Sequence, residues 1–86
     1  MKLDPEEMRP ALMRLKRARG QLDAVIRMLE EGEECEDIVT QTSAVATAVQ
    51  RAGFLVVSTG MRKCMVEQGP DSMDGQRLEK MLLKLA

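Results

Sequence analysis

Between Gly32 and the Gly69-Pro70-Asp71 break, the chain runs without a proline or a turn dipeptide. A stretch of that length is too long for a strand and predicts a single helix from Cys35 to Glu67. Gly53 and the pair Val56-Val57 weaken local helix propensity and make a strand the rival reading there, but length and the absence of a turn signal favour helix. Its middle, from Ser43 to Val57, is apolar or small on nearly every side, including Ala44, Val45, Ala46, Ala48, Val49, Ala52 and Leu55. A helix greasy all round is a central one, covered on several faces.

The segments on either side read as two further helices. Upstream, Met8, Leu15, Leu22 and Leu29 recur every seven residues, flanked by Leu12 and Ile26 and by Ala11, Ala18 and Val25. That spacing makes a wide apolar face on one helix, which Gly32 ends. Asp4-Pro5-Glu6-Glu7 has the composition of a helix start, but Pro10 means that the helix either kinks there or begins near Arg9. Downstream of Pro70, Leu78, Met81, Leu82 and Leu85 share one face of a short third helix. The expected fold is all-α, with residues 1–86 forming one three-helix domain. With one aromatic residue, Phe54, in 86, the interior must be built from aliphatic side chains. A chain this short gains from oligomerisation. No apolar run reaches the length of a membrane span, and two cysteines without a secretory signal point to a reducing, cytoplasmic setting.

The formal charge of −1 hides a strong asymmetry. Six bases and one acid, Asp23, lie between Arg9 and Arg27, whereas six acids and no base lie between Glu30 and Asp37. A basic stripe of this kind suits a phosphate backbone, but charge alone favours a solvated helix face laced with ion pairs. Arg9, Lys16, Arg17 and Arg27 fall opposite the apolar face, and Arg14 falls at its border. Arg19 sits at the edge of the apolar face, where an interface could hold it. Arg14, Arg17 and Arg19 are nevertheless expected close together on one basic surface.

Cys35 and Cys64 bracket the central helix. At about 1.5 Å per residue an unbroken helix separates them by roughly 43 Å. Bonded cysteines need Cα atoms within about 7 Å, so the two cannot act together in one chain. Across an antiparallel pair of such helices they can, with the two-fold axis near Val49 and Gln50. Ala46, Ala48, Ala52 and Gly53 would then allow the close approach. Two identical Cys35/Cys64 sites would result. The alternative, that both are packing cysteines, stays open on these grounds. Against it stand their positions: Cys35 at a helix N-terminus, where the dipole favours an anion although Glu34 and Glu36 oppose it, and Cys64 just after Arg62-Lys63.

Arg14-Leu15-Lys16-Arg17-Ala18-Arg19-Gly20-Gln21-Leu22 resembles the opening signature of the CsoR-type metal- and sulfur-sensing repressors. The likeness continues through Met28-Leu29-Glu30-Glu31-Gly32, Cys35, Gln41-Thr42-Ser43-Ala44-Val45, Arg51-Ala52 and Cys64, over roughly residues 10–68. It implies three-helix protomers that form an antiparallel dimer and then a tetramer. It further implies operator DNA held by basic residues of the first two helices, with Arg14, Lys16, Arg17, Arg19 and Arg51 as candidates, and cysteines that work in trans.

One departure bears on subtype. The copper-sensing members carry His-x-x-x-Cys on the second helix. Here the His position is Gly60, and the chain contains no His. Imidazole-based nickel, cobalt or zinc sites are excluded. Formaldehyde-sensing relatives need Pro at position 2, which is Lys. The pair that remains looks like the CstR-like, persulfide-sensing branch. The expected function is a repressor that releases DNA when reactive sulfur species bridge Cys35 and Cys64, with no cofactor and no membrane partner. The alternative is a Cu(I) sensor using Cys35, Cys64 and Met61. An enzyme clamping an anion with Arg19 and Arg51 lacks any acid–base constellation, and a pure scaffold leaves the basic stripe unused.

Overall fold

The computed structural model describes residues 2–85. Its helices are α1 (Arg9–Glu31), α2 (Cys35–Glu67) and α3 (Met73–Leu85), with no strand among the described residues. The ambiguity at Pro10 resolves in favour of a start at Arg9. The Glu6 amide donates to the Asp4 carboxylate at 3.0 Å, and the Met8 amide donates to the Asp4 carbonyl at 3.1 Å. These bonds form a separate turn, and Pro10 falls in the first turn of α1, where an amide hydrogen has no helical partner to lose.

Helix α1 stops at Gly32, whose φ of 73° lies in the left-handed region. The Gly32 amide donates to the Leu29 carbonyl at 3.3 Å, and the Glu33 amide donates to that of Met28 at 3.0 Å, the pairing of a Schellman stop. Gly32→Ala is therefore expected to lower stability by about 1 kcal/mol in urea unfolding at fixed protein concentration. Gly20 lies inside α1 with open space where a Cβ would stand. Gly20→Ala is expected to shift stability the other way by up to about 1 kcal/mol.

The molecule measures 52 × 25 × 12 Å. Its shortest dimension is less than half its width, so the three helices lie side by side in one flat layer. Helix α2 runs along the middle, α1 and α3 each pack against it, and α1 and α3 do not meet. The wide apolar face read from the sequence of α1 divides accordingly. Ala11, Ala18 and Val25, seven apart, are the buried residues of α1, and α2 contributes Val45 and Ala52 to the buried set. The larger side chains stay outside: Leu12, Leu15, Leu22 and Ile26 are 40–46% exposed and Leu29 is 62% exposed.

On α2, Gly53, Val57, Gly60 and Cys64 follow the i, i+4, i+7, i+11 spacing of one helix face, and all are buried or half-buried. Leu78, Leu82 and Leu85 form the matching half-buried stripe of α3. A Cβ on Gly53 would stand 3.3 Å from Leu85 Cδ1. Ser72 caps α3, its Oγ accepting from the Gly75 amide at 3.0 Å. This packing corrects the expectation for the small residues near Val49. Ala52 is fully buried and Gly53 faces Leu85, so both are used within the protomer, whereas Ala46 and Val49 remain exposed.

Candidate nucleic-acid interface and thiol pair

Helices α1 and α2 meet along a groove of about 470 Å³. Arg14, Arg17 and Gln21 line it from α1, and Ser43, Thr47 and Arg51 line it from α2. No acidic residue lines it. The helical repeat explains the convergence. Arg14, Arg17 and Gln21 step by three and four residues along one side of α1, as Ser43, Thr47 and Arg51 step by four along α2. Their guanidinium, amide and hydroxyl groups are hydrogen-bond donors at the rim of a concave surface, a donor set matched to phosphate oxygens.

Two of the predicted basic residues stand elsewhere. Arg17 and Arg19 flank Ala18, which is 2% exposed and faces α2. Each is turned about 100° from Ala18, in opposite senses, so they emerge on opposite faces of the layer. Arg19 thus leaves on the side of Leu15, Leu22 and Ile26, which corrects the expectation that Arg14, Arg17 and Arg19 share one surface. Lys16 is exposed and does not line the groove. The roles of Gln21, Ser43 and Thr47 were not read from the sequence. Gln21 and Ser43 fall within the family-like segments, and all three keep spacing in step with the arginines.

Cys35 is the first residue of α2 and is exposed, whereas Cys64 lies near the other end and is 1% exposed. Since α2 is unbroken across both, the roughly 43 Å of helix between them stands, and a single chain does not bring them together. The burial of Cys64 also departs from the sequence expectation, in which its position argued against a packed thiol. Met61 is half-buried one turn before Cys64, and Met65 is 59% exposed. Within one chain, no cluster of three or more His, Cys, Asp or Glu ligands suited to a metal forms among the described residues.

A long central helix, a two-helix basic groove and a thiol at each end of that helix define an all-helical domain with no helix-turn-helix among the described residues. The family model described as "Metal-sensitive transcriptional repressor" matches residues 7–85, and the chain belongs to that family of transcriptional repressors. It is 42% identical over 59 residues to the copper-sensing transcriptional repressor CsoR of Mycobacterium ulcerans, covering 69% of this chain and 50% of that protein. To the copper-sensing transcriptional repressor RicR of Mycobacterium tuberculosis it is 33% identical over 69 residues, covering 77% and 72%. To YrkD of Bacillus subtilis, an uncharacterized protein, it is 40% identical over 53 residues, covering 62% and 84%. The chain thus spans about half the length of the CsoR relatives it matches. No solved structure gives a significant match. No helix among the described residues is long and apolar enough to cross a membrane.

Proposed function

We propose that this chain holds operator DNA through Arg14, Arg17 and Arg51 and is released when Cu(I) binds between Cys35 of one subunit and Cys64 of another. The observation that carries the DNA reading is the convergence of three arginines from two helices on one groove without an acid. Guanidinium groups pair with phosphate oxygens in bidentate fashion, which fixes the protein on the duplex. A second copy of the chain is needed to cover Leu15, Leu22 and Ile26, because a layer one helix thick gives them nothing to pack against. In an antiparallel arrangement of that second copy, the distant thiols of two chains would come within reach of each other. Arg19, on that apolar side, belongs to the assembly rather than to the DNA surface.

Copper leads because two relatives, CsoR and RicR, are named as copper sensors. The donor set also fits: soft thiolates and thioethers select Cu(I), and Cys35, Cys64 and Met61 supply both. This reverses the order that the residues alone suggested. A second reading is favoured by Gly60, which leaves the site without imidazole. In it, one thiolate takes the sulfane sulfur of an organic persulfide and releases the organic thiol. The other thiolate then displaces sulfide, leaving an intersubunit disulfide. Either inducer acts only if it favours the DNA-free form over the bound one.

Fluorescence anisotropy of the reduced protein on promoter DNA separates the two. With Cu(I) supplied through a competing chelator, full release is expected at one Cu(I) per Cys35/Cys64 pair, reversed by excess chelator. Copper fails as the inducer if DNA stays bound under Cu(I) while persulfide releases it with a covalent, thiol-reducible dimer on gels.

A further inference from the structure

Cys64 lies on the same face of α2 as Gly53, where the least anchored helix of the fold docks. Gly53 faces Leu85 of α3, and Cys64 follows Gly53 by eleven residues, three helical turns within about 20°. Cys64 therefore shares the side of α2 that meets Leu85, and it is 1% exposed, with Lys2 of the N-terminal segment bonded to its neighbour Lys63. The grip of α3 is weak by several measures. None of its residues is fully buried, α2 is the one helix it packs on, and Gly53, which it meets there, has no side chain to interlock. Met73, Met81 and Leu83 point outward, 52–70% exposed. A side-chain bond ties it near its C-terminal end, Gln50 Nε2 donating to the Leu85 carbonyl at 2.6 Å. Its N-terminal end is tied by Gln68 Nε2 donating to Asp74 Oδ2 at 3.2 Å.

We propose that α3 is a strap over Cys64, latched by Gln50 and Leu85, and that a soft ligand reaches Cys64 only when the strap lifts. An element with few buried contacts opens locally at far lower free energy than the whole protein unfolds, which makes such a gate accessible. Cys35, exposed at the far end of α2, is then the thiol of first contact, and closure on Cys64 follows at a rate set by α3. The proposal builds on the reading of Cys35 and Cys64 as the inducer-binding pair, but its test requires neither inducer nor DNA.

The reduced, full-length protein is treated with excess N-ethylmaleimide, and modification of each cysteine is followed by peptide mass spectrometry. Cys35 is expected to react at least about tenfold faster than Cys64, because Cys64 reacts only from the open population. Gln50→Ala removes one latch bond at an exposed, helix-compatible position and is expected to speed Cys64 about fivefold, leaving Cys35 unchanged. Gly53→Val wedges α3 away and is expected to speed it more than about tenfold. Leu83→Ala, on the outer side of α3, is expected to change neither rate. Equal rates at the two cysteines in the unaltered protein would overturn the proposal. So would a Cys64 rate unmoved by both strap variants. A Cys64 rate that rises only on dilution would overturn it too, since the partner subunit would then be the cover. A strap that behaves as expected in a protein insensitive to Cu(I) and persulfide would leave α3 as a gate and reject the inducer reading alone.

Discussion

Operator affinity is expected to fall at least about a hundredfold when Arg17 and Arg51 are both replaced by alanine, with the helical circular dichroism spectrum unchanged. Each guanidinium bonded to phosphate contributes about 1.5 kcal/mol, the low end for a charged hydrogen bond because these groups stay exposed, or about tenfold. The two residues come from different helices and line one groove, so their loss removes a positive charge from each wall. Both are exposed, so truncation leaves no cavity in the α1–α2 seam. The salt dependence offers an independent check. The slope of log K against log salt should become shallower by about one for each phosphate that the protein no longer neutralises. Arg19→Ala distinguishes the groove from a general basic surface. It should spare this slope and instead weaken self-association in sedimentation, because Arg19 emerges on the opposite, apolar side. A double variant that kept full affinity would remove the groove from the DNA interface.

Neither Cys35→Ser nor Cys64→Ser is expected to respond to inducer, although both should bind DNA as the parent does. The larger effect comes from mixing them. In an isologous antiparallel dimer, each site takes Cys35 from one chain and Cys64 from the other. A dimer of one Cys35→Ser chain and one Cys64→Ser chain therefore has one site with both cysteines and one with neither. Co-expressed with different affinity tags and purified as the mixed species, it should recover half the inducer stoichiometry of the parent, from zero in either variant alone. Sites confined to one chain would predict no recovery, because neither chain then carries both thiols. The test is sharp because α2 is one unbroken helix from Cys35 to Glu67, which rules out any bend that would bring the thiols together within a chain.

The three helices were legible because each is bounded by local chemistry. Gly32, which takes a φ of 73°, stops α1, and the Gly69-Pro70-Asp71 break separates α2 from α3. Propensity and periodicity act within a few residues, so the ends of α2 and the separation of its cysteines follow from the string alone. The family was legible for a related reason, since its signature is a set of spaced residues in register along these helices.

Which side of each helix meets a neighbour was a different matter. The apolar face of α1 is wide enough to pack in more than one way. Only the seating of Ala11, Ala18 and Val25 against α2 shows that small residues close the protomer while Leu15, Leu22 and Ile26 are left outside. That one rotational choice sends Arg17 into the groove and Arg19 to the opposite face, though they are two residues apart. It likewise took the docking of α3 to show that Gly53 makes room for Leu85, and the folded chain to show that Cys64 is buried. A helix's sequence sets the angles between its own side chains, but its rotation about its axis is set by the summed packing of every neighbour.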